Sequence, residues 1–115
     1  MDINRGAIVV KPKQPYVDWA NSCDEFPTKT TVAEARDDCH AYLVPCWDDD
    51  KEFERILRKV CRFIFDNELS GWSTDESIWP KRRGFATFQE WFEVEAHSMV
   101  FELGDGFIEV EAGNL

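Results

Sequence analysis

Residues 49–69 constrain the fold more than any other stretch of this sequence, because their apolar residues recur at the three- and four-residue spacing of a helix face. The apolar positions are Phe53, Ile56, Leu57, Val60, Phe63, Ile64 and Phe65. Charged side chains fall mainly on the opposite side, and the run Asp48-Asp49-Asp50 supplies an N-cap and a negative first turn. We therefore predict a long amphipathic helix that packs against the rest of the chain and ends near Gly71.

Apolar runs rich in β-branched residues predict strands on both sides of this helix. Residues 6–10 and 41–44 form the first two, and each is stopped by a proline or a Lys-Pro pair. Residues 95–103 alternate weakly and end in a strand at 99–103. A β-like segment at 107–110 follows a Gly-Asp-Gly triplet, which predicts a closing hairpin.

Three shorter segments carry helix signals. Pro15 stands at a first helical position before the apolar residues of 16–20, which predicts a helix to about Ser22. Thr31 with Glu34, and Thr87 with Glu90, have the spacing of capping boxes. The fold class that follows is α+β, with a small mixed sheet of three or four strands and two or three helices packed on one face. The element order is β-α-β-α-α-β(-β).

Composition predicts one domain with an aromatic core. The chain has 115 residues, of which 43% are hydrophobic and 31% charged, and no composition break divides it. Nine Phe, five Trp and two Tyr each bury roughly 150–250 Å² when they enter a core. We predict a single globular domain across residues 1–115.

The chain carries a net charge of −10, and most of the imbalance lies near its C-terminal end. No Lys or Arg follows Arg83, whereas seven acidic residues do. They are Glu90, Glu93, Glu95, Glu102, Asp105, Glu109 and Glu111. A surface of this sign repels phosphate backbones, so we expect no binding to nucleic acid or to anionic membranes. A basic protein partner is the kind that this charge favours, and the oligomeric state is left open.

The N-terminal residues MDINRGAIVV lack the charged and long apolar regions of a secretory signal, and no apolar run approaches the roughly 18 residues of a membrane span. We therefore expect a cytoplasmic protein. Its four cysteines, Cys23, Cys39, Cys46 and Cys61, should then stay reduced rather than form disulfides.

The segment of residues 72–101 combines three Trp, clustered carboxylates, three adjacent basic residues and one His. In a structural explanation, Trp72, Trp79 and Trp91 pack the loop onto the core and donate their indole N–H groups to carbonyls. In a functional explanation, Trp72 and Trp79 form the walls of a recognition surface, because exposed Trp and Arg are enriched at interface hot spots. The burial of these indoles distinguishes the two explanations.

The same segment carries the charged side chains that an interaction surface or an acid–base site requires. They are Asp75, Glu76, Arg82, Glu93, Glu95 and His97. Carboxylates beside an imidazole suit metal binding or acid–base chemistry, but no HExxH, facial-triad or EF-hand spacing is present. On a strand, Glu93, Glu95 and His97 share a face because every second residue does. The alternative is a solvated rim in which a nearby carboxylate satisfies the histidine, and Arg82 in its basic triplet is then solvated too.

Other sequence motifs of enzymes and cofactor sites are absent. The glycines form neither GxGxxG nor a P-loop, so nucleotide binding has no support. Cys39, His40 and Cys46 lack the close cysteine pair of a structural zinc site, and no recognisable nucleophile elbow surrounds any cysteine. We predict no cofactor and no bound metal.

Five short stretches together resemble small bacterial proteins that have no assigned activity. They are Val9–Pro12, Asp18-Trp19, Tyr42-Leu43, Trp72–Ser77 and Glu90–Phe92. The resemblance covers most of the chain and implies no mechanism.

Two functions from different classes fit the sequence. The leading hypothesis is a non-enzymatic protein-interaction or regulatory module, in which the acidic C-terminal half meets a basic patch and Trp72 or Trp79 anchors the contact. The alternative is a ligand- or metal-binding protein, or a small enzyme, that uses the Trp-lined segment with Asp75, Glu76 and His97. A pocket that joins these last three residues would favour the alternative.

Overall fold

Three strands and four α-helices form the described part of the chain, residues 3–23 and 29–104, in a computed structural model. In chain order they are β1 (Arg5–Pro12), α1 (Gln14–Ser22), α2 (Val32–Ala35), β2 (His40–Pro45), α3 (Asp50–Ser70), a 3₁₀ turn (Glu76–Ile78), α4 (Phe85–Trp91) and β3 (Phe92–His97). The predicted α+β class is confirmed. The predicted hairpin strand at 107–110 lies outside the described residues.

The sheet has the strand order β2-β1-β3, and β1 pairs antiparallel with both of its neighbours. The described sheet is therefore antiparallel throughout rather than mixed. The long helix α3 does carry the chain between two strands that run in the same direction, β2 and β3. Because β1 lies between those two strands, they are not hydrogen-bonded to each other, and every adjacent pair is antiparallel.

β1 alternates between a buried and a partly exposed face, as the period of two along a strand requires. Its inward residues are Gly6, Ile8, Val10 and Pro12. Ile8 and Val10 belong to one apolar cluster with residues of α1, α3 and α4, so these helices cover this face. Gly6 has no room for a side chain, because a Cβ there would overlap the ring of Trp47. On the opposite face, Leu43 of β2 is 53% exposed.

α3 is the amphipathic helix that the sequence predicts. Its N-cap is Asp49, whose side chain accepts a hydrogen bond of 2.8 Å from the backbone N–H of Glu52. Its buried residues are Leu57, Cys61, Ile64, Phe65, Glu68 and Leu69. The expectation that Phe63 belongs to the buried side is wrong, since Phe63 is 69% exposed. Phe63 lies about 100° around the helix from Ile64, on the side away from Phe65, which places it outside the buried stripe.

One of the two predicted capping boxes is confirmed, whereas the other one and the predicted bounds of the strand after α4 are wrong. Thr31 caps α2 as predicted, because its Oγ1 accepts a hydrogen bond from the backbone N–H of Glu34. The predicted cap at Thr87 is wrong: α4 begins at Phe85 after Gly84, which makes no side-chain capping bond. The last strand of the described residues is at Phe92–His97 instead of 99–103, where the structure has an isolated bridge at Phe101. α4 passes into β3 without a turn, so no turn residue marks the boundary in the sequence.

The core is aromatic, as composition predicts. Phe65 of α3 lies at its centre, with its ring centroid 5.3 Å from those of Trp91 and Phe92 and 6.3 Å from that of Phe88. The Phe65 and Phe92 rings meet edge to face at 89°, an arrangement that aromatic pairs favour. These contacts join α3, α4 and β3 in one packed unit.

Candidate functional site

The two tryptophans predicted as recognition anchors are both half-buried, and both indoles donate to backbone carbonyls. Trp72 Nε1 donates to Ala20 O at 2.8 Å, and Trp79 Nε1 donates to Ser73 O at 2.9 Å. Both residues pack against the apolar core. The structural explanation therefore accounts for Trp72, whereas Trp79 also lines a groove on the surface.

The charged residues of the 72–82 stretch make local contacts. Asp75 caps the 3₁₀ turn, and hydrogen bonds from the Ser77 hydroxyl and backbone N–H hold its pKa below the ordinary value. Glu76 and Arg82 are exposed. Arg83, rather than Arg82, contacts the groove residues. Its Nε donates to Asp66 at 2.7 Å, and its guanidinium lies 5.5 Å from the Trp79 ring centroid.

Glu93, Glu95 and His97 share the partly exposed face of the sheet, as alternation predicts. They stand opposite Lys11, Val9 and Ala7 of β1. Each is engaged in an ion pair or hydrogen bond: Lys11 Nζ lies 3.1 Å from Glu95, Arg36 lies 3.7 Å from Glu93, and His97 Nε2 lies 2.8 Å from Glu95.

The pKa of Glu95 is lowered, first by the hydrogen bond from His97 and then by that from Lys11. This arrangement matches the alternative explanation from the sequence, a solvated rim in which a nearby carboxylate forms a hydrogen bond with the histidine.

Asp75 and His97 do not meet in one pocket. The 3₁₀ turn that Asp75 caps belongs to the helix layer, where Trp19 of α1 donates to Ile78 O at 2.9 Å. His97 stands opposite Ala7 on the other face of the sheet. Among the residues that the structure describes, no three His, Cys, Asp or Glu side chains are arranged to hold a metal ion.

A shallow groove of about 280 Å³ runs between α3 and the 3₁₀ turn. It is lined by Phe63, Asp66, Asn67, Ser70, Glu76 and Trp79. Two of the predicted interaction residues, Glu76 and Trp79, thus lie beside an exposed aromatic ring that the sequence places in the core. We call these six residues the Phe63 groove.

A second cluster surrounds a buried carboxylate that the sequence analysis does not single out. Glu68 is 5% exposed. His40 Nδ1 donates to its Oε2 at 2.6 Å, and the Tyr42 hydroxyl donates to the same oxygen. Tyr42 in turn accepts a hydrogen bond of 2.9 Å from Asn67 Nδ2, and the Tyr16 hydroxyl donates to the backbone carbonyl of Glu68 at 2.7 Å.

Both tyrosines of this cluster are neutral over the physiological range. Burial, followed by the hydrogen bond to Glu68, raises the pKa of Tyr42. Burial, followed by the negative charge of Glu68, raises the pKa of Tyr16. Each hydroxyl therefore remains a hydrogen-bond donor, that of Tyr42 to the buried carboxylate and that of Tyr16 to the backbone carbonyl of Glu68.

A cavity of about 150 Å³ opens beside this cluster. Its walls include Val10, Pro12, Tyr16, Asp38, Glu68 and Trp72, with His40 and Cys39 also in the lining. Burial raises the pKa of the Cys39 thiol, so this cysteine is not an activated nucleophile. We call this space the Glu68 cavity.

A signal for Glu68 does exist in the sequence. The residues three and four positions before it, Phe65 and Ile64, belong to the apolar stripe of the long helix, so Glu68 interrupts the buried side. His40 and Tyr42 cannot be connected to it in the same way, because they lie on β2, 28 and 26 residues earlier.

Comparisons with known protein families, curated proteins and solved structures give no match to this chain. The resemblance to small bacterial proteins therefore stays a prediction. Within the described ranges, none of the helices is long and apolar enough to cross a membrane. All four cysteines lie in those ranges as well, and none is in a disulfide.

Proposed function

We propose that this protein is a small acidic cytosolic protein-interaction module without catalytic activity, and that it binds a basic partner through the Phe63 groove. The observation that carries the proposal is Phe63, a large aromatic ring that is 69% exposed on a helix whose other face is in the core. Ile78 of the 3₁₀ turn is a second exposed apolar residue, at 41%. Exposed apolar clusters rimmed by polar residues mark protein-binding surfaces.

The groove is held in place before any partner binds. Trp79 is fixed by its indole hydrogen bond to Ser73 and by the Arg83 guanidinium above its ring. Arg83 is itself tied to Asp66 on α3 and to the Pro80 carbonyl. Such preorganisation lowers the entropy lost on binding, and aromatic and arginine side chains dominate interface hot spots.

Charge selects the kind of partner. Two acidic residues line the groove: Asp66 is paired with Arg62 and Arg83, whereas Glu76 makes no ion pair with the described residues. The whole chain carries a charge of −10. A partner segment with one apolar side chain flanked by Lys or Arg complements this arrangement. Glu93 and Glu95 are a weaker candidate for the same contact, because Arg36 and Lys11 already pair with them.

Display of a random peptide library against the immobilised protein tests this proposal. We expect enriched peptides to share an aromatic or aliphatic residue next to Lys or Arg. Phe63→Ala should weaken the binding of a selected peptide by about 2 kcal/mol, which is roughly thirtyfold. Glu76→Lys should weaken it as well, because a basic peptide then meets a like charge.

Glu54→Lys is the matched control for the charge reversal, since Glu54 is exposed on α3 outside the groove and pairs with Arg58. This variant should bind the peptide nearly as tightly as the wild type does. Enrichment without a basic consensus, or equal binding by Phe63→Ala, would contradict the proposal.

The alternative function, ligand binding along residues 72–101, keeps one supporting observation, which is that Trp72 lines the Glu68 cavity. Neither Asp75 nor His97 belongs to that lining.

A further inference from the structure

We propose that the Glu68 cavity binds a small organic cation, an ammonium or guanidinium ion, whose N–H group donates to Oε1 of Glu68. This site shares no residue with the Phe63 groove, so the two proposals can be tested independently of each other.

One oxygen of the Glu68 carboxylate, Oε1, can accept a hydrogen bond from a ligand. Both hydrogen bonds that the described residues make to it end on Oε2, and none of those residues bonds to Oε1. Every fully buried polar side-chain atom in the described ranges has a hydrogen-bond partner. Because Oε1 has none among these residues, it is not fully buried. Glu68 itself lines the cavity, and we therefore assign Oε1 as the acceptor for a ligand there.

The surroundings of Oε1 favour a positive charge. Asp38 adds a second carboxylate to the lining, and neither Lys nor Arg is among the described residues that form it. Lys11 and Arg36, whose charges act on Cys39 in the lining, are paired with Glu95 and Glu93. Tyr16 and Trp72 supply aromatic surface, to which organic cations are attracted.

The size and mixed polarity of the cavity limit the ligand. A cavity of about 150 Å³ takes a molecule of roughly benzene size, or about six to eight non-hydrogen atoms. Val10 and Pro12 form an apolar wall, which suits the carbon part of an alkylammonium ion. A simple metal ion does not fit, because no cluster of three ligating side chains occurs among the described residues.

The carboxylate is also held in position at a cost to stability. A buried carboxylate loses its hydration, and the described residues stabilise it by two hydrogen bonds on one oxygen. Leu, Met or Gln would continue the buried side of α3 without that cost. A third hydrogen bond from a cationic ligand completes the coordination of Glu68.

Titration of the intact protein with n-butylammonium, followed by calorimetry and by the NMR signals of the indole N–H groups, tests the proposal. We expect saturable binding with a Kd at or below about 1 mM, which is reasonable for a ligand of this size. The Trp72 indole signal should shift, whereas that of Trp47 should not. Glu68→Gln keeps the shape of the side chain and removes its charge, so it should weaken binding at least about tenfold.

Neutral n-butanol is the matched ligand control, because it has the same number of heavy atoms as n-butylammonium without the charge. Glu54→Gln is the matched protein control, since it removes a carboxylate from the exposed side of the same helix. Three results would overturn the proposal: equal binding of n-butanol, unchanged affinity of Glu68→Gln, or no binding of n-butylammonium to the wild type.

Asp38→Asn keeps the test decisive if Glu68→Gln does not fold, because Asp38 is exposed and its loss leaves the core unchanged. Its affinity for n-butylammonium should fall about two- to fivefold, as expected for a partly screened charge. An unchanged affinity in this variant would contradict the assigned charge selection.

Discussion

A single charged residue within an apolar helix stripe determines the chemistry of the Glu68 cavity. Glu68 stands in an apolar helix stripe, and its charge is tolerated because His40 and Tyr42 both donate to it. The pattern break is visible in the sequence, but the donors are not, because they come from a different strand. A buried carboxylate can therefore be predicted from helix periodicity, whereas its function depends on contacts that only the fold provides.

Tyr42 gives this cluster a measurable dependence on pH. Its pKa is raised in the folded protein, so the folded state holds the phenolic proton more tightly than the unfolded chain does. The corresponding stability is fully present below the unfolded pKa of about 10 and is lost as pH rises towards the folded pKa. We predict that the free energy of unfolding falls above about pH 10, by at most about 1.4 kcal/mol per pH unit for this group.

Urea denaturation of the wild type and of Tyr42→Phe between about pH 8 and pH 11 measures this effect. At neutral pH the variant should be less stable by about 1–2 kcal/mol, because Glu68 loses a donor. Above about pH 10 the difference should narrow, since Phe does not ionise. A difference that stays constant across this range would show that Tyr42 does not titrate with unfolding.

At the scale of secondary-structure elements, local signals were sufficient for α3 but not for β3. The long helix carries both an apolar stripe and an N-cap in its own sequence, and its bounds follow from them. β3 follows α4 directly, so no turn residue marks where it begins, although its residues alternate between apolar and polar. Its pairing with β1 joins residues 84 positions apart, such as Lys11 and Glu95, and no local signal records such a contact.

The N-cap of α3 offers a direct test at this scale. Asp49 accepts a hydrogen bond from the N–H of Glu52, and its charge lies at the positive end of the helix dipole. We predict that Asp49→Ala lowers the free energy of unfolding by about 1 kcal/mol. Asp48→Ala serves as the control in urea denaturation and should stay within about 0.5 kcal/mol of the wild type, because its side chain makes no capping bond in the structure. Equal losses in both variants would assign the effect to charge alone.

At the scale of the whole molecule, composition predicts how much charge and aromatic surface there is, whereas topology decides where they lie. Glu93 and Glu95 meet Arg36 and Lys11 because β3 pairs with β1. Phe63 and Trp79 likewise come together only when the 3₁₀ turn packs beside α3. The candidate sites are therefore nonlocal, and the sequence predicts only their separate members.

Two phenylalanines two positions apart on α3 test whether the chain behaves as the single domain that composition predicts. Phe65 is fully buried and packs on rings from α4 and β3, whereas Phe63 is 69% exposed. We predict that Phe65→Leu lowers the free energy of unfolding by about 2 kcal/mol, since it removes aromatic contacts as well as buried area. Phe63→Ala should change it by less than about 0.5 kcal/mol.

Urea unfolding followed by tryptophan fluorescence and by far-ultraviolet circular dichroism separates one cooperative unit from two. The indoles of Trp72, Trp79 and Trp91 report mainly on the packing of the later part of the chain, while the dichroism signal is dominated by α3. If Phe65 joins these parts, both transitions should coincide in the wild type and move together in Phe65→Leu. A fluorescence transition that precedes the dichroism transition would mean that the Trp-rich segment unfolds separately. The Phe63 groove, which contains Trp79, would then be lost before the helix that forms its other wall.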